Sequence, residues 1–374
     1  MRLAHVADTH LGCHSPSVRR IDPKTHKVTR VADFERALEA FVDRVLEDPP
    51  DLVLHAGDVF HHARPGWSTV AHFVRQWRRI GDAGVDSFII GGNHDTPKLR
   101  TTGSVFSILS EALPDATIVA GYEAEAHWWK KWKVACVPHG CLGRTHHEEE
   151  PPEPLVYPGE LEDTIVVFHG DAVQLDPPLL GARYVAMGHI HVRQPVGPTA
   201  WYSGSTERTS WGDAPGTPGW LDVTLEDGRP PVVTPRLLPH RPMVDLGRVE
   251  CADLEEAGIV AEVIRRARAA KEPEAIARVE LVDASRRVFR ESQRLLTRTL
   301  AGEVWDLRLV DRFTLTMGEP GERRVASIGT VEELFDEFLA ERRRMGIHDE
   351  EFSEKFSTKG REAMDRARER RTQE

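Results

Sequence analysis

The sequence of 374 residues predicts an α/β fold, from short apolar segments, the turns that bound them and helical periodicity between them. Five segments are rich in aliphatic residues and are each long enough for one strand: 3–7, 52–56, 88–92, 164–168 and 184–188. Segments that are apolar throughout are typical of parallel strands, which are buried on both faces of a sheet. We therefore expect these segments to form the parallel core of an α/β domain.

Three stretches with the periodicity of a helix lie between the first three of these segments and after the third. From Asp33 to Val45 the apolar side chains recur every three or four residues, which is the spacing of an amphipathic helix. The same spacing recurs from Val70 to Trp77 and, over a shorter span, from Val105 to Leu109. We expect one helix in each of these three stretches.

The remainder of the chain divides into regions by its pattern. Residues 201–239 are predicted to complete the sheets with short antiparallel strands, so that the first domain spans residues 1–240. Residues 241–329 alternate helical and strand-like segments and predict a small α+β domain. The tail, residues 330–374, has an apolar stripe at 331–339 among charged residues, which is typical of an amphipathic helix.

Composition limits the location and the class of partner. The sequence has four cysteines without a C-x-x-C pair, and it has no apolar run long enough for a membrane span. Its N-terminus starts in a predicted core strand. These features predict a cytoplasmic protein without a secretory leader.

The net charge of −11 argues against a uniformly basic nucleic-acid-binding protein. However, residues 101–239 carry 9 basic and 18 acidic side chains, whereas residues 1–100 carry 14 and 13. The acidity is therefore concentrated in the middle of the chain.

Potential metal ligands stand where the apolar segments end. The five segments are followed by D-T-H, G-D, G-N-H-D, H-G-D and H-I-H, which contain the ligands Asp8, His10, Asp58, Asn93, His169, His189 and His191. Because the loops after the carboxyl ends of strands in an α/β sheet converge on one crevice, these side chains are predicted to meet there. A single Asp-x-His at a strand end is usually a turn or a cap, but five runs in this order favour a metal site.

The types of donor atom indicate which ions this site would hold. Carboxylates, an amide oxygen and imidazoles without a thiolate suit Mn²⁺, Fe²⁺ and other borderline ions better than structural zinc. Asp58 is suited to bridge two ions, which leaves three further protein ligands for each ion. Two ions about 3.5–4 Å apart activate a water and stabilise the attacking and leaving oxygens of a phosphoryl displacement. The sequence therefore predicts a dinuclear phosphoesterase with two divalent ions, for which Mn²⁺ is expected.

The order D-x-H, G-D, G-N-H-D, an isolated His and G-H-x-H resembles the calcineurin-like metallophosphoesterase superfamily. D-T-H-L-G, G-D-V-F-H with a downstream Arg-Pro, and Y-S-G-S-T-E-R at 202–208 are similar to the SbcD-type nuclease, the bacterial counterpart of the meiotic-recombination-eleven nuclease of double-strand-break repair. The resemblance covers about residues 1–240. It implies a β-sandwich flanked by helices in a four-layer αββα order, then a small α+β domain that caps DNA and a helical tail.

The resemblance also implies roles for individual residues. Asp8, His10, Asp58 and His191 would hold one ion, and Asp58, Asn93, His169 and His189 would hold the second. His94 matches the catalytic histidine that protonates the leaving oxygen, and Asp95 is expected to orient its imidazole. His61 matches a second histidine that positions the phosphate, and the adjacent His62 is the alternative for this role.

Basic side chains near these loops predict contacts with DNA phosphates. They are Arg19, Arg20, Lys24, Lys27 and Arg30 in the loop after the first metal run, together with Arg64 and Arg208. A solvated loop without a role in DNA binding explains the first five residues equally well. The run at 128–133 mixes aromatic and cationic side chains, as surfaces that bind single strands do. Its continuation into 134–137 favours a packed strand whose lysines reach solvent.

The resemblance implies a metal-dependent DNA nuclease subunit, a 3′–5′ exonuclease and endonuclease that hydrolyses phosphodiesters at duplex ends and hairpins in a nucleoid-associated, SbcCD-like complex. It implies a homodimer through the helices at 70–77 and 105–109, although burial within one subunit explains the same pattern. It further implies that the tail at 330–374 docks on an SbcC-type coiled-coil ABC ATPase, unless the tail folds back on its own domain. Two other functions stay open, a metallophosphoesterase that acts on small phosphodiesters or nucleotides and a largely structural subunit that tethers DNA.

Overall fold

The structure is a computed structural model of the chain. It describes residues 1–14, 21, 28–98, 101–146, 163–175, 177–300, 303–312, 357 and 359–361. Residues 1–312 form one compact unit and residues 313–374 a second. In the second unit the four described residues beyond 312 are helical, and the rest of the predicted tail lies outside the described residues.

The described part of the first unit alternates strands and helices. The strands are β1 (Arg2–Val6), β2 (Leu52–His55), β3 (Asp86–Ile90), β4 (Ala116–Val119), β5 (Glu125–Trp129), β6 (Trp132–Val137), β7 (Thr164–His169), β8 (Tyr184–Gly188), β9 (Gln194–Pro195), β10 (Ala200–Tyr202), β11 (Gly219–Thr224), β12 (Val232–Leu237), β13 (Met243–Glu250), β14 (Ile276–Val282) and β15 (Asp306–Arg312). The α-helices are α1 (Thr29–Glu47), α2 (Trp67–Asp82), α3 (Phe106–Ala112), α4 (Glu256–Ala270) and α5 (Arg286–Thr299). Short 3₁₀ helices lie at His139–His146, Ala172–Gln174, Pro177–Gly181 and Trp211–Asp213.

Two six-stranded sheets contain the five predicted strands. The first sheet has the order β12-β11-β1-β2-β3-β4, with β1 to β4 parallel and β11 and β12 added antiparallel. The second has the order β5-β6-β7-β8-β10-β9, with β6, β7, β8 and β10 parallel. The predicted parallel core is therefore confirmed, and the three predicted helices correspond to α1, α2 and α3.

The sheets stack in layers with a separate apolar core at each interface. On the outer face of the first sheet, α1 and α2 meet through Phe41 and Trp77, whose rings stack at 6.3 Å. Leu54 and Ile165 belong to the core between the two sheets, and both are fully buried. The outer face of the second sheet is covered by Leu175 and by the 3₁₀ helix at Pro177–Gly181. The order helix, sheet, sheet, helix agrees with the predicted four-layer fold, and in the described residues the fourth layer consists of 3₁₀ helices.

The aromatic and cationic run at 128–133 forms a hairpin and not the single strand that its pattern predicts. β5 and β6 pair antiparallel on either side of Lys130, which has a φ of 52°. The indoles of Trp129 and Trp132 are buried, and the ammonium groups of Lys130 and Lys131 lie 4.4 and 5.1 Å from their centres. The reversal was missed because the local pattern contains neither the glycine nor the asparagine that usually marks such a turn.

A third sheet follows the sandwich. β13, β14 and β15 are all parallel, and α4 and α5 form the connections between them, so helix and strand alternate over the described residues of 243–312. Val263 of α4, Leu281 of β14 and Leu296 of α5 belong to one core with little or no exposure. No helix among the described residues is both long enough and apolar enough to cross a membrane.

Buried charges join the third sheet to α1. Arg241, just before β13, donates two hydrogen bonds to Asp33 of α1, at 2.6 and 2.7 Å. Arg30 also donates to Asp33, at 3.1 Å, and the Arg241 guanidinium lies 4.2 Å from the ring centre of Trp305. The Asp33 side chain is only 2% exposed. Because removal of one partner leaves the other charges buried without compensation, this carboxylate is expected to be important for stability.

We expect Asp33→Asn to lower the free energy of unfolding by about 3–5 kcal/mol, because two buried guanidinium groups lose their shared anion. The matched control is Asp43→Asn on the same helix, where the carboxylate is exposed and pairs with the exposed Arg79. That change should alter stability by less than about 1 kcal/mol. Urea unfolding followed by tryptophan fluorescence measures both, and equal effects of the two substitutions would contradict the assignment.

Candidate metal centre

The loops after β1 and β2 run side by side and bring the first metal motifs together. The backbone N–H of Asp8 donates to the Gly57 carbonyl, and that of His10 to the Asp58 carbonyl, each at 3.0 Å. The loop after β3 joins them, because the backbone N–H of His94 donates to Asp58 Oδ1 at 2.8 Å. Convergence of the strand ends, as predicted, therefore brings the motifs to one place.

The backbone of several predicted ligands is left-handed. Asp8, His10, Asp58 and His189 have φ values of 54°, 41°, 55° and 105°, and they are four of the seven non-glycine residues with positive φ in the described part of the chain. Such conformations cost of order 1–3 kcal/mol each and persist only where the surrounding structure stabilises them. Their concentration in these loops favours a functional site, because strained backbone conformations cluster at active sites and ligand-binding loops.

Two glycines allow the loops to approach. A Cβ at Gly92 would lie 2.1 Å from Asp58 Oδ1, and a Cβ at Gly57 would lie 2.3 Å from His169 Nδ1. Both distances are far below van der Waals contact, so any side chain at these positions would displace a predicted ligand. The glycines of G-D and G-N-H-D are therefore required by the close packing of the ligands themselves.

The first half of the cluster contains Asp8, His10 and His191. One ligating atom of each lies within 4.8 Å of those of the other two. His10 Nε2 and His191 Nε2 are 2.9 Å apart, and His10 Nε2 is 3.6 Å from Asp58 Oδ2. Asp8 and His10 are completely buried. These four residues are the set predicted for one ion, and the structure brings them together.

The second half contains Asn93, His169 and His189 around the other oxygen of Asp58. Asn93 Oδ1 lies 2.9 Å from His169 Nε2 and 3.0 Å from His189 Nδ1. Asp58 Oδ1 lies 3.5 Å from His169 Nε2. Asp58 therefore presents one carboxylate oxygen to each half, which is the arrangement expected of a bridging ligand.

The electrostatics of the cluster favour bound cations. Burial raises the pKa of Asp8 to about 6 and lowers the pKa of His10 well below its ordinary value. Burial also opposes protonation of His169, but the charge of Asp58 and a hydrogen bond to it raise the pKa of His169 to about 9. Buried carboxylates are costly without a positive partner. Oxygen and nitrogen donors that face one another at 2.9–3.6 Å fit two divalent ions, which would satisfy them together.

His61 and His94 lie beside the first half. Their rings stack with centres 4.9 Å apart, and His61 Nδ1 is 3.3 Å from His10 Nδ1. His94 Nδ1 is 3.0 Å from the carbonyl oxygen of His61, which accepts a hydrogen bond from it, so Nε2 is the nitrogen left for chemistry. His62 is exposed. Of the two alternatives, the structure therefore brings His61 and not His62 into the cluster.

Asp95 does not have the role that the sequence predicts. It is completely buried, and its two carboxylate oxygens accept backbone N–H groups from Val59 at 2.6 Å and Gly92 at 2.7 Å. The ring of His94 is held by a carbonyl oxygen instead. Asp95 thus ties the loop after β2 to the loop after β3 and does not orient the imidazole of its neighbour.

Asp213 is a site residue that the sequence analysis missed. Its carboxylate lies 3.1 Å from His191 Nδ1 and accepts hydrogen bonds from the backbone N–H and hydroxyl of Thr209, both at 2.7 Å. Burial opposes ionisation of Asp213, but its hydrogen bond with His191 holds its pKa well below the ordinary value. Carboxylates in this position commonly orient metal-ligating histidines. The sequence signal was the capping pattern S-W-G-D at 210–213.

His139 is a second residue that was missed. It follows β6, its ring centre lies 6.2 Å from that of His169, and its backbone N–H donates to the Gly91 carbonyl at 3.0 Å. The signal was a sixth apolar run, 134–138, that also ends in a histidine. The second half of the cluster therefore has one more imidazole at its edge.

The basic residues predicted to contact DNA differ in where the structure places them. Arg19, Arg20, Lys24 and Lys27 lie outside the described residues. Arg30 is 5% exposed and bound by Asp33 and Glu207, so it is a structural residue and is not available to a phosphate. Arg208 is half-buried and donates to the Gly216 carbonyl at 2.8 Å, whereas Arg64 is exposed.

The two-sheet sandwich with its His/Asp cluster defines a metal-binding α/β phosphoesterase. The model of the calcineurin-like phosphoesterase family matches residues 1–193, which is more than half of the chain. The chain belongs to this family and is accordingly a phosphoester hydrolase. The family predicted from the motifs is confirmed.

Three relatives carry the name DNA double-strand break repair protein Mre11. The protein of Aeropyrum pernix is 25% identical over 299 residues, which cover 71% of this chain and 66% of that protein. The protein of Saccharolobus solfataricus is 26% identical over 52% of this chain and 50% of its own length. The protein of Methanococcus maripaludis is 27% identical over 32% of this chain and 30% of its own length. The matches thus span about one third to two thirds of these relatives.

One solved structure adds a weaker similarity. A dimetal phosphatase from Danio rerio aligns with a TM-score of 0.39 and 12% sequence identity, over 63% of this chain and 96% of that chain. A similarity of this size supports no conclusion about this chain by itself.

We expect Asp213→Asn to weaken Mn²⁺ binding by about 10–100-fold, because His191 loses the carboxylate that orients it. The control is Asp171→Asn, whose carboxylate is 55% exposed and lies 4.0 Å from His189 Nε2, so its loss should matter less. Isothermal titration with Mn²⁺ measures both affinities. Unchanged binding by the Asp213 variant would show that this residue does not position His191.

Proposed function

We propose that the chain is the nuclease subunit of a DNA double-strand-break repair complex, an SbcD-like enzyme that hydrolyses DNA phosphodiesters with two divalent ions. The observation that carries the proposal is the stacked pair His61 and His94 beside the first half of the metal cluster. A phosphomonoesterase has no evident need for a second histidine at this place, whereas a diester in a polymer must be held on both sides of the scissile bond. The similarity to several proteins named for DNA double-strand-break repair supports the same substrate.

The metal cluster would supply the nucleophile and most of the charge stabilisation. Two divalent ions, for which we propose Mn²⁺, would lower the pKa of a water and stabilise the charge that develops on the phosphoryl group. The chain would hold them through the two halves of the cluster that share Asp58. The left-handed loops fix these ligands before substrate arrives, so little reorganisation is required during the reaction.

His94 and His61 would act on the substrate directly. Nδ1 of His94 donates to the His61 carbonyl, which leaves Nε2 for the substrate. In the imidazolium form of His94, Nε2 also carries a proton, which would pass to the departing sugar oxygen. Burial, together with the nearby His94 and His62, lowers the pKa of His61 to about 4. A neutral His61 is therefore suited to donate a hydrogen bond to a non-bridging phosphate oxygen and not to carry charge.

The substrate and partners proposed for the whole protein are those implied by the motifs. We propose 3′–5′ exonuclease and endonuclease activity on duplex ends and hairpins, with Arg64 and the basic loop around Arg19, Arg20 and Lys24 on DNA phosphates. The tail at 330–374 would bind an SbcC-type coiled-coil ABC ATPase, because its apolar stripe suits a helix that lies in a groove of a partner. A homodimer through residues 70–77 of α2 and residues 105–109 at the start of α3 is part of the same proposal.

His94→Ala is expected to slow cleavage of linear duplex or hairpin DNA by about 10²–10⁴-fold, because the leaving oxygen loses its proton donor. Mn²⁺ binding should persist, since His94 belongs to neither predicted ligand set. The control is His62→Ala, an exposed neighbour that should leave the rate nearly unchanged. Gel assays with Mn²⁺ measure the rates, and calorimetry measures metal binding.

Two results would contradict the proposed function. If the wild-type protein with Mn²⁺ hydrolysed only small phosphodiesters or nucleotides and left DNA intact, the substrate class would be wrong. If His94→Ala cleaved DNA at the wild-type rate, the catalytic role of this residue would be wrong while the metal cluster would still stand.

Deletion of residues 330–374 is expected to leave the nuclease active and to abolish co-purification with a coiled-coil ATPase. A milder control replaces the apolar stripe with the double change Phe335→Ser and Phe338→Ser, which should have the same effect on binding if the stripe is the contact. Affinity purification of the full chain and both variants tests this. Persistent co-purification after the deletion would show that the ATPase binds elsewhere.

A further inference from the structure

An exposed aromatic side chain lies at the edge of the loop that carries His61. Trp67 is the first residue of α2 and its side chain is 77% exposed, which is unusual for tryptophan. Arg64, between His61 and Trp67, is also exposed. We propose that Trp67 stacks on an unpaired base of a DNA strand next to the scissile phosphate, while Arg64 contacts the phosphate beside that base. This inference rests on the proposed function and deepens it by naming the form of the substrate.

Continuous contacts connect the metal cluster with this edge. The loop after β1 and the loop after β2 are joined by a bridge between Leu11 and Phe60, and the His61 N–H donates to the Leu11 carbonyl at 3.1 Å. Imidazole rings follow the same path outward, with centres separated by 5.2 Å from His10 to His61 and 4.7 Å from His61 to His62. The loop that leads into α2 is therefore joined to the cluster through His61 and His62.

The position of Trp67 is fixed by the helix that follows it. Thr69 in the first turn of α2 is buried, and a Cβ at Gly12 would lie only 3.5 Å from its Cγ2 atom. Val70 and Phe73 anchor the same helix in the core beneath the first sheet. Trp67 is thus carried by a rigid element that packs on the loop of His10, and ordering it on binding requires little loss of backbone entropy.

The charge of this segment suits a polyanion. Around Trp67, residues 59–72 contain the exposed Arg64 and no acidic residue, in a chain whose net charge is −11. An exposed indole flanked by guanidinium and imidazole groups is the surface that binds single strands, because bases stack on the ring while cations follow the phosphates. An intact duplex keeps its base faces inside the stack, so the preferred ligand is an overhang, a hairpin loop or a frayed end.

The test measures binding without cleavage. With EDTA present, a short fluorescein-labelled oligothymidylate should bind Trp67→Ala about 5–100-fold more weakly than wild type, whereas Trp67→Phe should retain most of the affinity. Trp128→Ala is the matched control, because Trp128 is almost equally exposed, at 74%. It lies opposite Lys133 at the beginning of β6, whereas His139 and the metal cluster lie beyond the other end of that strand. The control should bind as wild type does.

An abasic scan makes the test specific for stacking. Removal of single bases along the oligonucleotide should weaken binding to wild type at one position, and Trp67→Ala should lose sensitivity to that position alone. Equal affinity of wild type and Trp67→Ala would overturn the inference. A Trp67→Ala variant that loses self-association in light scattering but keeps its DNA affinity would overturn it too, and would assign Trp67 to a contact between copies of the chain.

The outcomes separate this inference from the function on which it rests. If wild type cleaves DNA with Mn²⁺ while Trp67→Ala binds and cleaves normally, the stacking inference fails and the nuclease function stands. If wild type does not cleave DNA, the proposed function fails, whatever the oligonucleotide binding shows.

Discussion

The carboxylate of Asp58 is the contact on which the candidate centre depends. One of its oxygens lies 3.6 Å from His10 and the other 3.5 Å from His169, so both halves of the cluster are built around it. Its position requires a left-handed backbone at Asp58 itself and the absence of a side chain at Gly92. The parallel strands that end in these loops hold the loops in their strained conformations. This explains why the site is carried by a rigid sandwich.

The third sheet contributes to the centre through contacts with one segment. The Arg241 N–H donates to Glu207 at 2.9 Å, and the Arg278 guanidinium lies 4.7 Å from the ring centre of Trp211. The segment between these two contacts contains Thr209 and leads to Asp213, whose carboxylate holds His191. Residues 241–312 therefore support the segment that positions His191 through Asp213.

The sequence predicted those parts of the structure that local patterns determine. Apolar runs marked the strands, helical spacing marked α1 and α2, and the polar residues at the ends of the runs marked the seven ligands. Contacts distant in sequence were not predictable in this way. Arg30 was expected on a DNA phosphate, but its partner Glu207 is 177 positions away. Asp95 was expected to serve His94, yet the loop directs its carboxylate to backbone N–H groups that no pattern reveals.

Anomalous diffraction from crystals grown with Mn²⁺ tests the central claim most directly. The account predicts two peaks about 3.5–4 Å apart on either side of the Asp58 carboxylate, one against Asp8, His10 and His191 and the other against Asn93, His169 and His189. Peaks elsewhere, or none at Asp58 under saturating Mn²⁺, would contradict the account, because the left-handed loops and buried carboxylates would then have no ions to hold.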